Sequence, residues 1–139
     1  CDRRQRQMCI RDSNISGGYE IRNRFFKACI SPKDITCITN GQETGRCYVF
    51  EGFMDFLSFE PAFPLWTKGD CLVLNSVSNL PKAFSFLSRY DDIYSCLDND
   101  AAGNNTVMAM REKYGSRVHD LSQEYVGYKD LNEYLCRKR

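Results

Sequence analysis

No long apolar stretch occurs anywhere in these 139 residues, and every hydrophobic run falls far short of the roughly 20 residues that a membrane-spanning helix needs. The start, Cys1-Asp2-Arg3-Arg4, carries no apolar segment resembling a signal peptide. Together these absences predict a cytoplasmic protein with no membrane partner. No Cys-x-x-Cys pair occurs among the eight cysteines, at positions 1, 9, 29, 37, 47, 71, 96 and 136. Several sit inside apolar, strand-like runs, so they read as reduced, mostly buried thiols rather than as a zinc site or a disulfide framework. Histidine is nearly missing too: His119 stands alone, and neither it nor Cys1 and Cys9 has metal-ligand spacing. There is no internal repeat and no low-complexity tract. Nor does either sign of charge dominate, since 19 basic and 18 acidic residues leave a formal +1. Net charge therefore does not decide for or against nucleic acid, whose recognition depends on a local patch.

With 42% hydrophobic residues the chain can bury one core, and it is too short for two ordinary domains. Its first third predicts a short hairpin region, from Gly17-Gly18-Tyr19-Glu20-Ile21 and residues 33–39 followed by the Asn40-Gly41 turn signal. Strand and helix patterns then alternate. Strands are expected at 47–50, 71–75 and 92–97, with a weaker fourth at 117–121. Between them fall a helix at 53–59 closed by Pro61 and Pro64, one opened near Pro81, and one over 104–114 ended by Gly115. A terminal helix is expected over 130–136. This order predicts an α/β fold with about four strands in a mostly parallel sheet flanked by helices.

The most informative segment is Ile93-Tyr94-Ser95-Cys96-Leu97-Asp98-Asn99-Asp100-Ala101-Ala102-Gly103. An apolar strand that stops at Asp98 delivers that acid to the carboxyl edge of the sheet, where open α/β folds place ligands. Asp100 falls in the turn that opens the next helix. Two carboxylates held by one turn suit Mg²⁺, a hard cation that takes one or two protein carboxylates and keeps water and phosphate as its other ligands. The first strand of the alternating part also ends in an acid, Glu51-Gly52-Phe53-Met54-Asp55. If that strand and the third are neighbours, Glu51 faces Asp98 and Asp100, and such a cluster without a cation should show raised carboxylate pKa values.

Basic residues gather before residue 40, including Arg3, Arg4, Arg6, Arg11 and Lys33. Arg22, Arg24 and Lys27 flank Phe25 and Phe26, an interleaving that suits a strand tracking a phosphate backbone, though a solvated face serves equally well. Met54, Phe56, Leu57 and Phe59 read as core rather than as a base-stacking platform. Trp66, in an irregular loop, is assigned to the core as well.

Glu51-Gly52-x-x-Asp55 after one strand, Asp98-x-Asp100-x-x-Gly103 after another, and Lys129-Asp130-Leu131-Asn132-Glu133 near the end together resemble the Toprim domain of bacterial primases. The resemblance covers about residues 46–136. It implies a Rossmann-like Toprim domain over 46–139, a preceding β-hairpin region over 15–45 and an N-terminal tail over 1–14. A flavodoxin-like or receiver-like domain would explain neither Glu51-Gly52 nor the late Lys-Asp pair. What the resemblance implies chemically is Mg²⁺- or Mn²⁺-dependent nucleotidyl transfer, with RNA primers made on single-stranded DNA from nucleoside triphosphates. Glu51 would serve as general acid or base, Asp98 and Asp100 as metal ligands together with Glu51, and Asp55 and Asp130 as further metal-binding acids. Lys129, with Arg22, Arg24 and Lys27, would contact nucleic acid.

Two departures stand out. The primase pattern commonly has proline then aspartate after Lys-Asp, where this chain has Leu131 and Asn132, so a weaker cation site is expected. The polar turn Asn75-Ser76-Val77-Ser78-Asn79 does not match the primase sequence closely. The start at Cys1 is read as a cut from a longer chain, in which primases carry an upstream zinc-binding domain. Two rival functions keep the fold: phosphodiester cleavage as in Toprim nucleases and topoisomerases, or a non-catalytic module that binds DNA.

Overall fold

The computed structural model describes residues 10–22, 27–41, 43–64 and 68–138. An antiparallel three-stranded sheet comes first: β1 (Ile10–Ser13), β2 (Tyr19–Arg22) and β3 (Lys27–Ile30). Its turn is built around Asn14, whose side-chain oxygen accepts from the N–H groups of Ser16 and Gly18 at 3.1 and 2.9 Å. This unit starts inside the segment expected as a tail.

The second sheet holds five strands: β4 (Thr36–Ile38), β5 (Arg46–Phe50), β6 (Asp70–Val73), β7 (Asp92–Cys96) and β8 (Val118–Asp120), in the spatial order β4-β6-β5-β7-β8. β6, β5, β7 and β8 are mutually parallel, and β4 runs antiparallel along β6. The fold is thus α/β with a mostly parallel sheet, as expected, with one strand more. The extra one is β4, from the segment assigned to the hairpin region, which pairs with β6 across the sheet edge.

Helices cover both faces: α1 (Phe53–Ala62), α2 (Leu80–Leu87), α3 (Ala101–Tyr114) and α4 (Leu131–Lys138). Alternation along β5 shows how the sheet divides the core. Cys47 and Val49 point to the side of α2 and α3, among Leu80, Leu87, Val107 and Met110. Tyr48 and Phe50 point to the other side, toward Phe56 and Phe59 of α1 and Leu131 of α4. Strands covered on both faces read as unbroken apolar runs, which is why these stand out in the sequence. Pro61 does not end α1, which continues to Ala62. Leu57, expected in the core, is 44% exposed.

Among the described residues, Cys37, Cys47, Cys71, Cys96 and Cys136 carry free thiols. Burial pushes the Cys47 and Cys96 thiols upward and Cys71 to about 12, which keeps them protonated and unreactive. Among the described residues no helix is long and apolar enough to cross a membrane.

Ile93 in β7 is fully buried and Met108 on α3 is 67% exposed. Ile93→Ala should therefore lower the unfolding free energy by about 2–5 kcal/mol, against about 0.5 kcal/mol or less for Met108→Ala, as read from urea melts.

Candidate metal centre

β5 and β7 are parallel neighbours, and the chain leaves β5 toward β6 on one side before returning to β7 on the other. Their carboxyl ends therefore border a topological switch point, the usual crevice for a ligand in an open α/β sheet. Glu51 follows β5 directly and Asp98 follows β7. Into the same crevice come Asp55 from the first turn of α1 and Asp130 from the start of α4. One oxygen from each of Asp55, Asp98 and Asp130 lies within 4.8 Å of the others.

Local structure explains how each acid is held. Gly52 caps α1 with φ −124° and ψ 158°, an extended backbone open to any residue, so no sharp turn calls for glycine here. Space does: a Cβ on Gly52 would sit 3.3 Å from Asp55 Oδ2. The Asn132 N–H donates to Asp55 Oδ1 at 3.1 Å, and the Glu133 N–H donates to Asp130 Oδ1 at 2.7 Å. Both carboxylates thus rest on the N-terminus of α4, where unpaired N–H groups favour anions. Glu133 completes a reciprocal cap by accepting from the Lys129 N–H at 2.7 Å. α4 is held to α1 by the stacking of Phe63 on Tyr134 at 5.9 Å and by the bond from Ser58 Oγ to Asn132 Oδ1 at 3.1 Å. Asn132 thus serves as a joint between helices.

Asp98 depends on a close approach. A Cβ on Gly103 would fall 2.0 Å from the Asp98 carbonyl oxygen, so only glycine lets the first turn of α3 press against this loop. Asp100 is the N-cap of α3: its Oδ1 accepts from the Gly103 N–H at 2.8 Å. It is exposed and stands outside the group formed by Asp55, Asp98 and Asp130. The acids whose oxygens gather within 4.8 Å are therefore Asp98, Asp55 and Asp130.

Asp55 carries the electrostatic signature of the cluster. Its carboxyl is pushed up to about 7, first by burial and then by the charge of Asp130, with Asp98 and Glu51 adding to the rise and the Asn132 N–H opposing it. Glu51 is near enough to contribute, and its Oε2 is shielded from solvent. An all-oxygen donor set this close and this self-repelling fits a hard divalent cation such as Mg²⁺ or Mn²⁺.

The Toprim-like family model matches residues 48–135, the span that contains all of these acids. The chain belongs to the Toprim-like family. Among solved structures, the primase fragment of the bacteriophage T7 primase-helicase protein superposes with a TM-score of 0.66 at 13% identity, covering 94% of this chain and 58% of that one. A second match comes from the complex of T7 lagging-strand DNA polymerase with primase domains bound to an RNA/DNA hybrid and dTTP. It has a TM-score of 0.55 at 14% identity, covering 88% of this chain and 65% of that one. This chain therefore spans less than two thirds of either, and the likeness is one of fold. No curated protein sequence matches it.

Other residues singled out in the sequence take varied places on this Toprim-like frame. Lys129 is exposed, and its carbonyl accepts from the Asn99 N–H at 2.7 Å. Arg22 and Lys27 are backbone register partners across β2 and β3. Arg24, Phe25, Phe26, Cys1, Cys9 and Trp66 lie outside the described residues. His119 Nε2 meets Asp92 Oδ1 at 2.8 Å and its ring stacks on Tyr94. In the 75–79 turn, Asn75 adopts a left-handed φ of 61°, which asparagine tolerates better than most residues. Its Nδ2 donates to the Asp34 carbonyl and to Thr36 Oγ1, at 2.9 and 3.0 Å.

Gly103→Ala should destabilise this Toprim-like chain by about 1–3 kcal/mol or more, measured by urea unfolding, because helix or strand end must shift to admit the methyl group. The raised Asp55 pKa sets the sign of a pH effect. Between the ordinary carboxylate value of 3.8 and about 7, the folded chain holds a proton that the unfolded chain releases. Stability of the metal-free protein should therefore fall as pH rises through that window, by at most about 1.4 kcal/mol per pH unit. Asp55→Asn should flatten this part of the profile in melts recorded from pH 4 to 8.

Proposed function

We propose that this chain is the cation-binding Toprim part of a primase-type nucleotidyltransferase, which joins ribonucleotides into primers on single-stranded DNA. The observation that carries the reading is the meeting of Asp55, Asp98 and Asp130 within 4.8 Å at the carboxyl edge of the sheet, on a fold shared with a primase fragment. These three would hold Mg²⁺ or Mn²⁺. Once bound, the ion supplies positive charge for the nonbridging oxygens of a phosphoryl group in transfer. Asp100 contributes through the oxygen not engaged by Gly103, from the outer side of the site.

The remaining work falls to side chains. Glu51, on the opposite strand end of the crevice, accepts a proton from an attacking 3′-hydroxyl brought within roughly 3 Å of it. Lys129, Arg22, Arg24 and Lys27 supply cations for the phosphate backbone of template and nucleotide. Template and triphosphate need more surface than this chain offers, so further domains of a longer protein, a zinc-binding one among them, belong to the reading.

Calorimetric titration tests the first step. Mn²⁺ should bind the chain, and Asp98→Ala should weaken that binding by tenfold or more; an unchanged isotherm counts against the site. The reaction is tested in the full-length protein with labelled single-stranded DNA. Nucleoside-triphosphate-dependent extension into short RNA supports priming. Cutting without nucleotides would assign the site to phosphodiester cleavage, and binding without turnover would leave a non-catalytic module.

A further inference from the structure

The residue between the two acids of the Asp98-x-Asp100 motif is Asn99, and every bond it is seen to make runs to the segment that leads into Asp130. Its Nδ2 lies 2.9 Å from the Tyr128 carbonyl, 3.2 Å from that of Tyr125 and 3.5 Å from that of Ser122. Its backbone N–H donates to the Lys129 carbonyl at 2.7 Å. Beside it, the Tyr125 hydroxyl donates to the Leu97 carbonyl at 2.6 Å, with Tyr125 only 1% exposed. Residues 97 and 99 thus hold the 122–129 segment from both sides of Asp98.

The consequence for Asp130 is direct, since it follows Lys129. Segment 122–129 has little regular structure beyond a single 3₁₀ turn at Ser122–Tyr125, so α4 alone does not determine where its first acid stands relative to Asp98. We propose that Asn99 is a positioning residue of the metal centre: its carboxamide and N–H hold the 122–129 segment so that Asp130 meets Asp98 and Asp55. A carboxamide suits the task because one NH₂ group serves several carbonyls, where a carboxylate would repel them. The effect on cation affinity rests on the function proposed above, whereas the latch itself does not.

Two readouts on the full chain separate the claims. In metal-free protein, Asn99→Ala should lower amide hydrogen-exchange protection over 122–130 by tenfold or more and leave β5 and β7 protected. In calorimetry, Asn99→Ala should weaken Mn²⁺ binding about tenfold, the usual scale for a residue that orients a ligand. In an Asp130→Asn background the same substitution should change the affinity by less than about twofold, since the carboxylate it positions is gone. A purely structural role would make the two substitutions multiply. Unchanged exchange over 122–130, or multiplying effects on affinity, overturns the proposal. Should the parent chain bind no Mn²⁺, the cation reading fails and exchange alone decides the latch. If Asn99→Ala does not fold, Asn99→Asp keeps the side-chain size and replaces the donating NH₂ group with an accepting oxygen. Weaker protection of 122–130 in that variant supports the latch, and parent-like protection overturns it.

Discussion

Three carboxylates within 4.8 Å of one another, one of them buried, repel. The fold answers with helix ends. Backbone N–H groups of α4 reach Asp55 and Asp130, and each bond to a charged group contributes about 1.5–3 kcal/mol. Two such bonds do not neutralise three negative charges, and a proton on Asp55 or a cation among the three relieves what remains. The high Asp55 pKa and the hard-cation donor set are two expressions of that deficit.

Everything else near the crevice keeps those acids close despite their repulsion. Gly103 lets α3 dock against Asp98, Gly52 leaves room for Asp55, and the aromatic contacts of α1 with α4 hold Asp130 against its neighbours. Aromatic packing is well suited to this, since Phe50 meets both Phe56 and Phe59, at 5.8 and 5.3 Å, beneath the site. The charged layer thus lies on an apolar floor that admits little relaxation.

Legibility in the sequence followed the range of the interactions. Strands buried on both faces announced themselves as apolar runs, and the acids at their ends marked the crevice, so the parallel core and Asp98 could be read directly. Asp55 and Asp130 were legible only through resemblance to Toprim motifs, because their convergence depends on α4 packing against α1. β4 falls within the hairpin segment expected at 33–39, but its pairing was hidden, since its partner β6 lies far along the chain. Asp100 was read as half of a pair, although an acid three residues before a helical N–H is also an N-cap pattern. Asn99 left no signal, since nothing local shows that an amide is surrounded by carbonyls of a distant loop.

Asp55 and Asn132, which meet across α1 and α4, are separated by 77 positions, and Asp98 comes from a third stretch of chain between them. No fragment that ends before α4 can own the complete pocket. An ion captured there would act as a clasp that recognises only the finished tertiary structure, adding by mass action to the stability of that form alone. A chain cut before α4 would lack Asp130 and could not complete that set of donors.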